Sequence, residues 1–89
     1  MKIFHHRINT SSQLVRIPSA DGVEIDVRSR GQDIILEHDP FKKGELFTEW
    51  LEHWQGQSLI LNVKEEGIEE RTLEMLSTYQ AEVAMFERV

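Results

Sequence analysis

The order of strand-like and helix-like segments is the feature that most limits how this chain of 89 residues can fold. Residues 22–28 alternate apolar and charged side chains, which is typical of a strand with one buried face. Residues 58–64 are dominated by apolar side chains and indicate a buried strand. Residues 44–54 and 68–79 instead carry apolar side chains at helical spacing. Strands that alternate with helices favour an α/β protein with a mainly parallel sheet.

The remaining segments complete this pattern. Residues 2–8 are rich in strand-forming side chains, and residues 33–37 predict a third strand. Residues 12–17 predict one or two helical turns, which Pro18 ends. Residues 82–86 predict a fifth strand. The predicted order is therefore strand, short helix, strand, strand, helix, strand, helix, strand.

The connection between the second and third strands conflicts with a parallel sheet. Parallel neighbours are normally joined by a crossover of about a dozen residues or more, whereas only about six residues, including 29–32, separate these two strands. Taken alone, this spacing predicts a β-hairpin. A parallel arrangement requires the connecting chain to run back in extended form beside the third strand, which its length permits.

Composition limits both the number of domains and the class of function. A chain of 89 residues forms one domain, residues 1–89. Its formal charge of −6 does not favour binding to nucleic acid. Because there is no cysteine, thiolate metal sites and a cysteine nucleophile are excluded. No apolar run approaches the ~20 residues that span a bilayer, and the first residues lack a signal peptide, so we expect a cytoplasmic protein without a membrane span.

Each of the two longer helices is predicted to bury one apolar face. In the first, the side chains expected in the core are Leu46, Phe47, Trp50, Leu51 and Trp54. In the second, they are Ile68, Leu73, Leu76 and Tyr79. The alternative for Trp50 and Trp54 is a surface that binds a partner.

Polar residues cluster at or near the carboxyl ends of the first three predicted strands. The clusters are His6-Arg7, Glu24-x-Asp26 and His38-Asp39. Ligands bind at this edge in parallel α/β folds. Each cluster alone is more typical of an exposed strand end or a turn. The prediction of a ligand site therefore depends on their ordered combination.

The combined residue types suit phosphodiester chemistry. Carboxylates at Glu24 and Asp26 face the same way and can bind one hard divalent cation through oxygen. The histidines His6 and His38 suit a general acid and a general base. A guanidinium such as that of Arg7 can hold a phosphate oxygen. These residues therefore indicate hydrolysis or intramolecular cleavage of a phosphodiester.

The same residues, in the same order, resemble the glycerophosphodiester phosphodiesterases, which belong to the phospholipase-C-like phosphodiesterases with a TIM-barrel fold. The resemblance rests on His6-Arg7, on residues 22–27 and on residues 35–40. Asn9-Thr10 also resembles the Asn-Thr that follows the family's first strand, although the preceding Pro-Glu is absent. The resemblance implies a partial TIM (β/α) barrel of about four to five mainly parallel strands with helices on the outer face.

The resemblance also implies residue roles and a substrate. It implies that His6 and His38 are the acid and base, that Arg7 contacts the phosphate and that Lys64 stabilises developing phosphate charge. The implied substrate is a small phosphodiester, such as the head-group diester of a deacylated phospholipid, and the implied process is lipid metabolism.

The metal site departs from the family pattern. The resemblance implies that Glu24 and Asp26 hold a calcium or magnesium ion, but Asn62 stands where the family has a metal-binding glutamate. An amide oxygen still ligates calcium, yet one negative charge is lost. We therefore expect weaker metal binding or a changed metal preference.

The chain also matches only the first half of the family's domain, because a full barrel takes about 250 residues. We expect a truncated product or fragment, or a homo-oligomer that covers the open half-barrel. The alternative function is a catalytically impaired or truncated phosphodiesterase-like interaction protein. A further hypothesis is an unrelated small α/β domain, in which Glu24 and Asp26 do not converge with His6 and His38.

Overall fold

The computed structural model describes residues 2–40, 42–79 and 83–88, the last of these as backbone only. The strands among these residues are β1 Phe4–His5, β2 Gly22–Arg30, β3 Asp33–Leu36, β4 Glu45–Leu46, β5 Ser58–Val63 and β6 Val83–Arg88. The helices are α1 Ser11–Leu14, α2 Phe47–Leu51 and α3 Glu69–Thr78. Every predicted strand and helix thus has a counterpart, although several differ in length.

The strands form one mixed sheet in the order β4-β3-β2-β5-β6. β2 lies parallel to β5, and β5 lies parallel to β6. On its other edge, β2 pairs in parallel with β1 at its beginning and in antiparallel fashion with β3 at its end. β4 continues the antiparallel part beyond β3. The amino-terminal segment and the β2–β3 hairpin therefore meet along one edge of β2.

The partial TIM barrel implied by the resemblance is wrong. β2 and β3 form a β-hairpin in which Arg30 pairs with Asp33, and Gly31 takes a φ of 63° in the turn. Gly31 and Gln32 alone lie between the strands, so the chain has no room for the crossover that parallel neighbours need. The local spacing predicted this hairpin correctly, whereas the mainly parallel sheet, which both the alternation of strands with helices and the resemblance favoured, is wrong at β3 and β4.

One face of the sheet forms the core. Val23, Ile25 and Val27 of β2 are fully buried, as the alternation of residues 22–28 predicted. They belong to one apolar cluster with side chains of β5 and of the three helices, namely Leu59, Leu61, Val63, Leu14, Phe47, Trp50, Leu51 and Leu76. The opposite face of β2 is left with the charged side chains.

The first predicted long helix is shorter than expected. The prediction of a helix over residues 44–54 is wrong at its start, because Leu46 has an extended backbone, with φ −63° and ψ 132°, and pairs with Ile35 of β3. α2 keeps the predicted apolar stripe in its centre, where Phe47, Trp50 and Leu51 are buried. Trp54 packs against the core from beyond the helix end.

The predicted core face of α3 is only half correct. Ile68 and Leu76 are buried, but Leu73 and Tyr79 are 44% and 38% exposed. Ile68 sets the phase of the helix, and the residue four positions on is Thr72, which is fully buried. The hydroxyl of Thr72 donates to the backbone carbonyl of Ile68 at 2.8 Å, so this buried polar group is satisfied within the helix.

Candidate functional site

The polar face of the sheet, opposite the core, carries the candidate site. Glu24 and Asp26 point to this face, since their neighbours along β2 point into the core. On β5, Asn62 is the register partner of Asp26, and Lys64 follows the strand directly. Adjacent strands lie about 4.8 Å apart, so these four side chains occupy one patch.

Asp26 lies at the centre of this patch and is fully buried. Its Oδ2 accepts a hydrogen bond from Nδ2 of Asn9 at 2.9 Å, and its backbone N–H donates to Oδ1 of Asn9 at 2.9 Å. Its Oδ1 is buried without a hydrogen bond from any described residue, and Nζ of Lys64 lies 3.5 Å away. A buried carboxylate oxygen without a donor is costly, so Oδ1 is suited to receive a cation.

The loop that carries Asn9 is fixed by the core. The N–H of Ile8 donates to the carbonyl of Glu24 at 2.9 Å, and the indole Nε1 of Trp50 donates to the carbonyl of Ile8 at 3.0 Å. Thr10 then begins α1 as its N-cap and accepts from the N–H of Gln13 at 3.2 Å. Asn9 is held on both sides, so its amide keeps one position against Asp26.

His6 lies beside Glu24 at the outer end of the patch. Its Nδ1 is 3.5 Å from Oε2 of Glu24. The imidazole side chain is 79% exposed, while the side chain of Glu24 is only 20% exposed. His6 is therefore open to a ligand that approaches the polar face from solvent.

His38 lies at the end of β3 and is held at both ring nitrogens. Nη2 of Arg7 is 3.1 Å from its Nε2, and Oδ1 of Asp39 is 3.1 Å from its Nδ1. A guanidinium only donates, and a carboxylate only accepts. These two partners therefore assign the neutral tautomer in which Nδ1 carries the proton and Nε2 offers its lone pair.

Asp39 stays ionised in this arrangement. The hydrogen bond with His38 lowers the pKa of the Asp39 carboxyl, and the hydrogen bond and positive charge of Lys42 lower it further. Nζ of Lys42 lies 3.1 Å from Oδ2 of Asp39. The aspartate thus presents a negative charge to the protonated side of the His38 ring.

Arg7 has a strained backbone. Its φ of 52° is the only positive value at a non-glycine residue in the described part of the chain. Side chains with a Cβ rarely adopt this region, and such strain persists where neighbouring contacts enforce it. The contacts of Ile8 with β2 and Trp50 supply that enforcement. The predicted strand over residues 2–8 accordingly ends at His5.

Arg28 fixes the position of His38. Its Nε donates to the carbonyl of Glu37 at 3.0 Å, and its Nη2 donates to the carbonyl of His38 at 2.7 Å. The side chain extends from the same face of β2 as Asp26, two residues further on. The guanidinium thereby ties the end of β3 to the site.

The patch offers oxygen atoms of the kind that ligate divalent cations. Among residues 2–40, 42–79 and 83–88, there is no group of three or more His, Cys, Asp or Glu side chains placed to hold a metal. Glu24, Asp26 and Asn62 offer two carboxylates and an amide, and among their oxygens is Oδ1 of Asp26, which accepts no hydrogen bond from the described part of the chain and has Nζ of Lys64 3.5 Å away. Oxygen ligands of this kind match calcium and magnesium.

The structure brings the predicted site residues together in neighbouring pairs. Direct contacts join His6 to Glu24, Arg7 to His38, and Lys64 to Asp26. The prediction that strand alternation turns His5 away from this patch agrees with its contact to Asp21, at 2.9 Å. Sequence reasoning missed the positioning roles of Asn9 and Arg28. The signals in the sequence were the inclusion of Asn9 in the resemblance, without a role, and the place of Arg28 on the charged face of β2.

Comparison with protein-family models, with curated proteins and with solved structures finds no match to this chain. The resemblance to glycerophosphodiester phosphodiesterases therefore rests on the residues themselves and stays a prediction. Within the described residues, no helix has the length and apolar character needed to cross a membrane.

Proposed function

We propose that this chain cleaves small phosphodiesters with His6 and His38 as the proton-transfer groups. The observation that carries the proposal is the set of three pairs, His6 with Glu24, Arg7 with His38 and Lys64 with Asp26, each of which sets a proton-transfer group or a carboxylate beside a partner of the predicted site. Arg7 and Lys64 supply the positive charge that a phosphodiester anion needs. His6 and His38 supply proton transfer from the segments that follow β1 and β3.

The proton transfers follow from the tautomer of His38. Its Nε2 lone pair takes a proton from the attacking water or hydroxyl while the new O–P bond forms. The P–O bond to the leaving alkoxide then breaks, and protonated His6 returns a proton to that oxygen. Arg7 moves from Nε2 of His38 to a phosphate oxygen, which both binds the substrate and frees the base.

Glu24, Asp26 and Asn62 are the residues that would hold a calcium or magnesium ion. A bound divalent ion supplies neutralisation of the phosphate charge. Asn9 aligns Asp26 for this role by occupying Oδ2, and a cation at Oδ1 would take the place that Nζ of Lys64 has there. Because Asn62 is neutral, the set carries one negative charge fewer than three carboxylates would.

The second candidate function is binding of phosphodiesters without turnover. The observations that favour it are the neutral Asn62 and the position of Nζ of Lys64, 3.5 Å from Oδ1 of Asp26, where it already offsets the charge of the carboxylate. A role as an interaction protein, self-association of the chain and a cytoplasmic location are further predictions that accompany either function.

The two functions are separated by an assay of the 89-residue chain with bis(p-nitrophenyl) phosphate, in calcium, in magnesium and in chelator. We expect metal-dependent release of p-nitrophenol that His38→Ala and His6→Ala abolish. His53→Ala is the matched control, because His53 is an exposed histidine outside the patch. Circular dichroism checks that each variant is folded.

Full activity in His38→Ala would contradict the proposed mechanism. Absence of turnover in the folded wild-type chain, together with saturable binding of the intact diester, would favour the binding function instead.

A further inference from the structure

A cavity of about 340 Å³ lies beside the candidate site, between the β2–β3 hairpin and the loop that follows β3. Its lining includes three cationic side chains, Arg28, Arg30 and Lys42. The chain as a whole has a formal charge of −6, so this concentration of positive charge runs against the average of the molecule. Such a local field favours an anionic ligand.

The two arginines of the cavity keep their positive charge available, because neither is paired with a carboxylate of the described residues. Arg28 is half-buried, and its hydrogen bonds go to the backbone carbonyls of Glu37 and His38, which are neutral. Neither Arg28 nor Arg30 forms a salt bridge within the described part of the chain. A half-buried guanidinium without a carboxylate retains binding capacity for an incoming anion.

The acidic groups near the cavity are already engaged. Glu65 lines the cavity, but its carboxylate accepts hydrogen bonds from the backbone N–H and the hydroxyl of Ser29. Asp39 is paired with Lys42, whose side chain is 66% exposed and long enough to exchange partners. The cavity therefore presents more cationic than anionic groups to a ligand.

The cavity and the candidate site share one wall. Arg28 follows Asp26 on the same face of β2, and its Nη2 lies 2.7 Å from the carbonyl of His38. Ile35 is the register partner of Arg28 and is only 4% exposed, although it lies outside the core cluster. It forms an apolar surface beneath the cations. Arg28 therefore belongs to the lining of the cavity and also contacts the backbone of the residue that carries the proposed base.

We propose that the cavity binds a second anionic group of the substrate, so that the preferred diester carries a phosphate monoester or a carboxylate on one of its alcohols. The assignment to a substrate rests on the proposed phosphodiesterase function. The anion site itself depends only on the cavity and its three cations.

Direct binding is tested first, with inorganic phosphate as the probe and backbone amide shifts as the readout in the full chain. We expect saturable shifts at residues 28–30 and at Lys42. The double variant Arg30→Gln/Lys42→Gln should weaken this binding about tenfold or more, as loss of charge-assisted hydrogen bonds does. Arg7→Gln should retain it, because Arg7 belongs to the neighbouring diester site.

The matched control is Arg16→Gln/Lys43→Gln, which removes the same charges at exposed positions outside the cavity. If this control weakens phosphate binding as much as Arg30→Gln/Lys42→Gln does, the effect is one of net charge and the proposal is overturned. Absence of saturable shifts at residues 28–30 overturns it as well.

Turnover is tested second, by comparing bis(p-nitrophenyl) phosphate with p-nitrophenyl phosphodiesters whose other alcohol bears a phosphate monoester or a carboxylate. We expect the ratio of kcat/KM, charged over neutral substrate, to fall about tenfold in Arg30→Gln/Lys42→Gln and to be unchanged in the control. The two charged substrates distinguish phosphate from carboxylate preference.

A ratio that does not fall overturns the substrate assignment. If the wild-type chain hydrolyses none of the three, the proposed function and the substrate assignment both fail, while the phosphate titration still decides the anion site.

Discussion

The guanidinium of Arg7 covers the nitrogen of His38 on which the proposed reaction depends. Nη2 of Arg7 lies 3.1 Å from Nε2 of His38, and the carboxylate of Asp39 holds the opposite ring nitrogen. In the proposed reaction, the arginine leaves this nitrogen when it binds the phosphate, so that one side chain would join substrate binding to activation of the base. This side chain sits on the strained backbone of residue 7.

The strain at Arg7 predicts an unusual ranking of two variants. Glycine adopts the φ of 52° without steric cost, whereas alanine keeps the strain. We expect Arg7→Gly to be more stable than Arg7→Ala by about 1 kcal/mol, because the left-handed region costs a non-glycine residue that much. Chemical denaturation of the two variants measures the difference in unfolding free energy.

Gly31 provides the complementary control. It has a φ of 63° and open space around its Cα, so Gly31→Ala adds strain without a clash. Gly31→Ala should lower the free energy of unfolding by about 1 kcal/mol, because alanine is strained in the left-handed region. The same strain is expected to remain in Arg7→Ala. Equal stability of Arg7→Gly and Arg7→Ala, alongside a clear loss in Gly31→Ala, would show that residue 7 relaxes out of the left-handed region.

The pair of Asp39 with Lys42 predicts a shift in an acid titration. The hydrogen bond with His38 is the largest cause of the lowered pKa of Asp39, and Lys42 is the next. The ionised carboxylate is therefore favoured in the folded state. The resulting stabilisation is present above the unfolded-state pKa and is lost as the pH falls through the folded-state pKa. We expect the NMR titration of the Asp39 carboxyl carbon to have its midpoint below 3.8, and Lys42→Gln to raise that midpoint.

The neighbouring substitution Lys43→Gln is the control, since Lys43 does not contact Asp39 in the structure. A midpoint that stays unchanged in Lys42→Gln would mean that the salt bridge does not persist in solution.

The double contact between Asn9 and Asp26 predicts strong energetic coupling. Asn9→Ala leaves Oδ2 and the backbone N–H of buried Asp26 without their partner, which should cost about 1–3 kcal/mol. The double variant Asn9→Ala/Asp26→Ala should cost less than the sum of the single variants, because the unpaired carboxylate is gone. Denaturant titrations of the four proteins measure the coupling free energy.

Asn9→Asp tests the same contact with a side chain of equal size. It sets a second carboxylate against Oδ2 of Asp26, so it should also lower the free energy of unfolding. Additive costs in the Asn9/Asp26 cycle would argue against a role of Asn9 in holding Asp26.

The neutral side chain at position 62 predicts a gain in metal affinity. Asn62 is the register partner of Asp26, so Asn62→Glu places a third carboxylate in the oxygen-donor patch. We expect calcium to bind about tenfold more tightly, because ligand charge sets the affinity of such sites. Calorimetric titration with calcium and with magnesium measures the change, and Asn62→Gln controls for side-chain length. Unchanged affinity in Asn62→Glu would place the metal elsewhere or remove it.

Periodicity and local spacing predicted much of the fold. The alternation in residues 22–28 placed Val23, Ile25 and Val27 in the core and Glu24 and Asp26 on the opposite face. The short gap between β2 and β3 predicted a hairpin. The mainly parallel barrel was wrong because neither the alternation of strands with helices nor the resemblance of site residues specifies the direction of β3. The short connection before β3 does specify it.

The errors in the helices have a common cause. Leu73 and Tyr79 are apolar and have helical spacing in the sequence. In the structure, however, the face of α3 that is buried with Ile68 includes Thr72 instead. Thr72 is tolerated because its hydroxyl bonds within the helix, which composition cannot show. Asn9 and Arg28 were missed for a related reason, since their partners lie distant in sequence and become visible only when β2 pairs with its neighbours.

The hydrogen bond from the indole of Trp50 to the carbonyl of Ile8 gives one core residue two structural roles. Its ring fills the interior, and its N–H sets the loop from which Arg7 and Asn9 reach the site. A substitution that preserves the volume of the ring and removes the N–H keeps the packing of the core but leaves the carbonyl of Ile8 without its donor. The interior of the protein therefore helps to set the position of Arg7 and Asn9 through one polar atom as well as through packing.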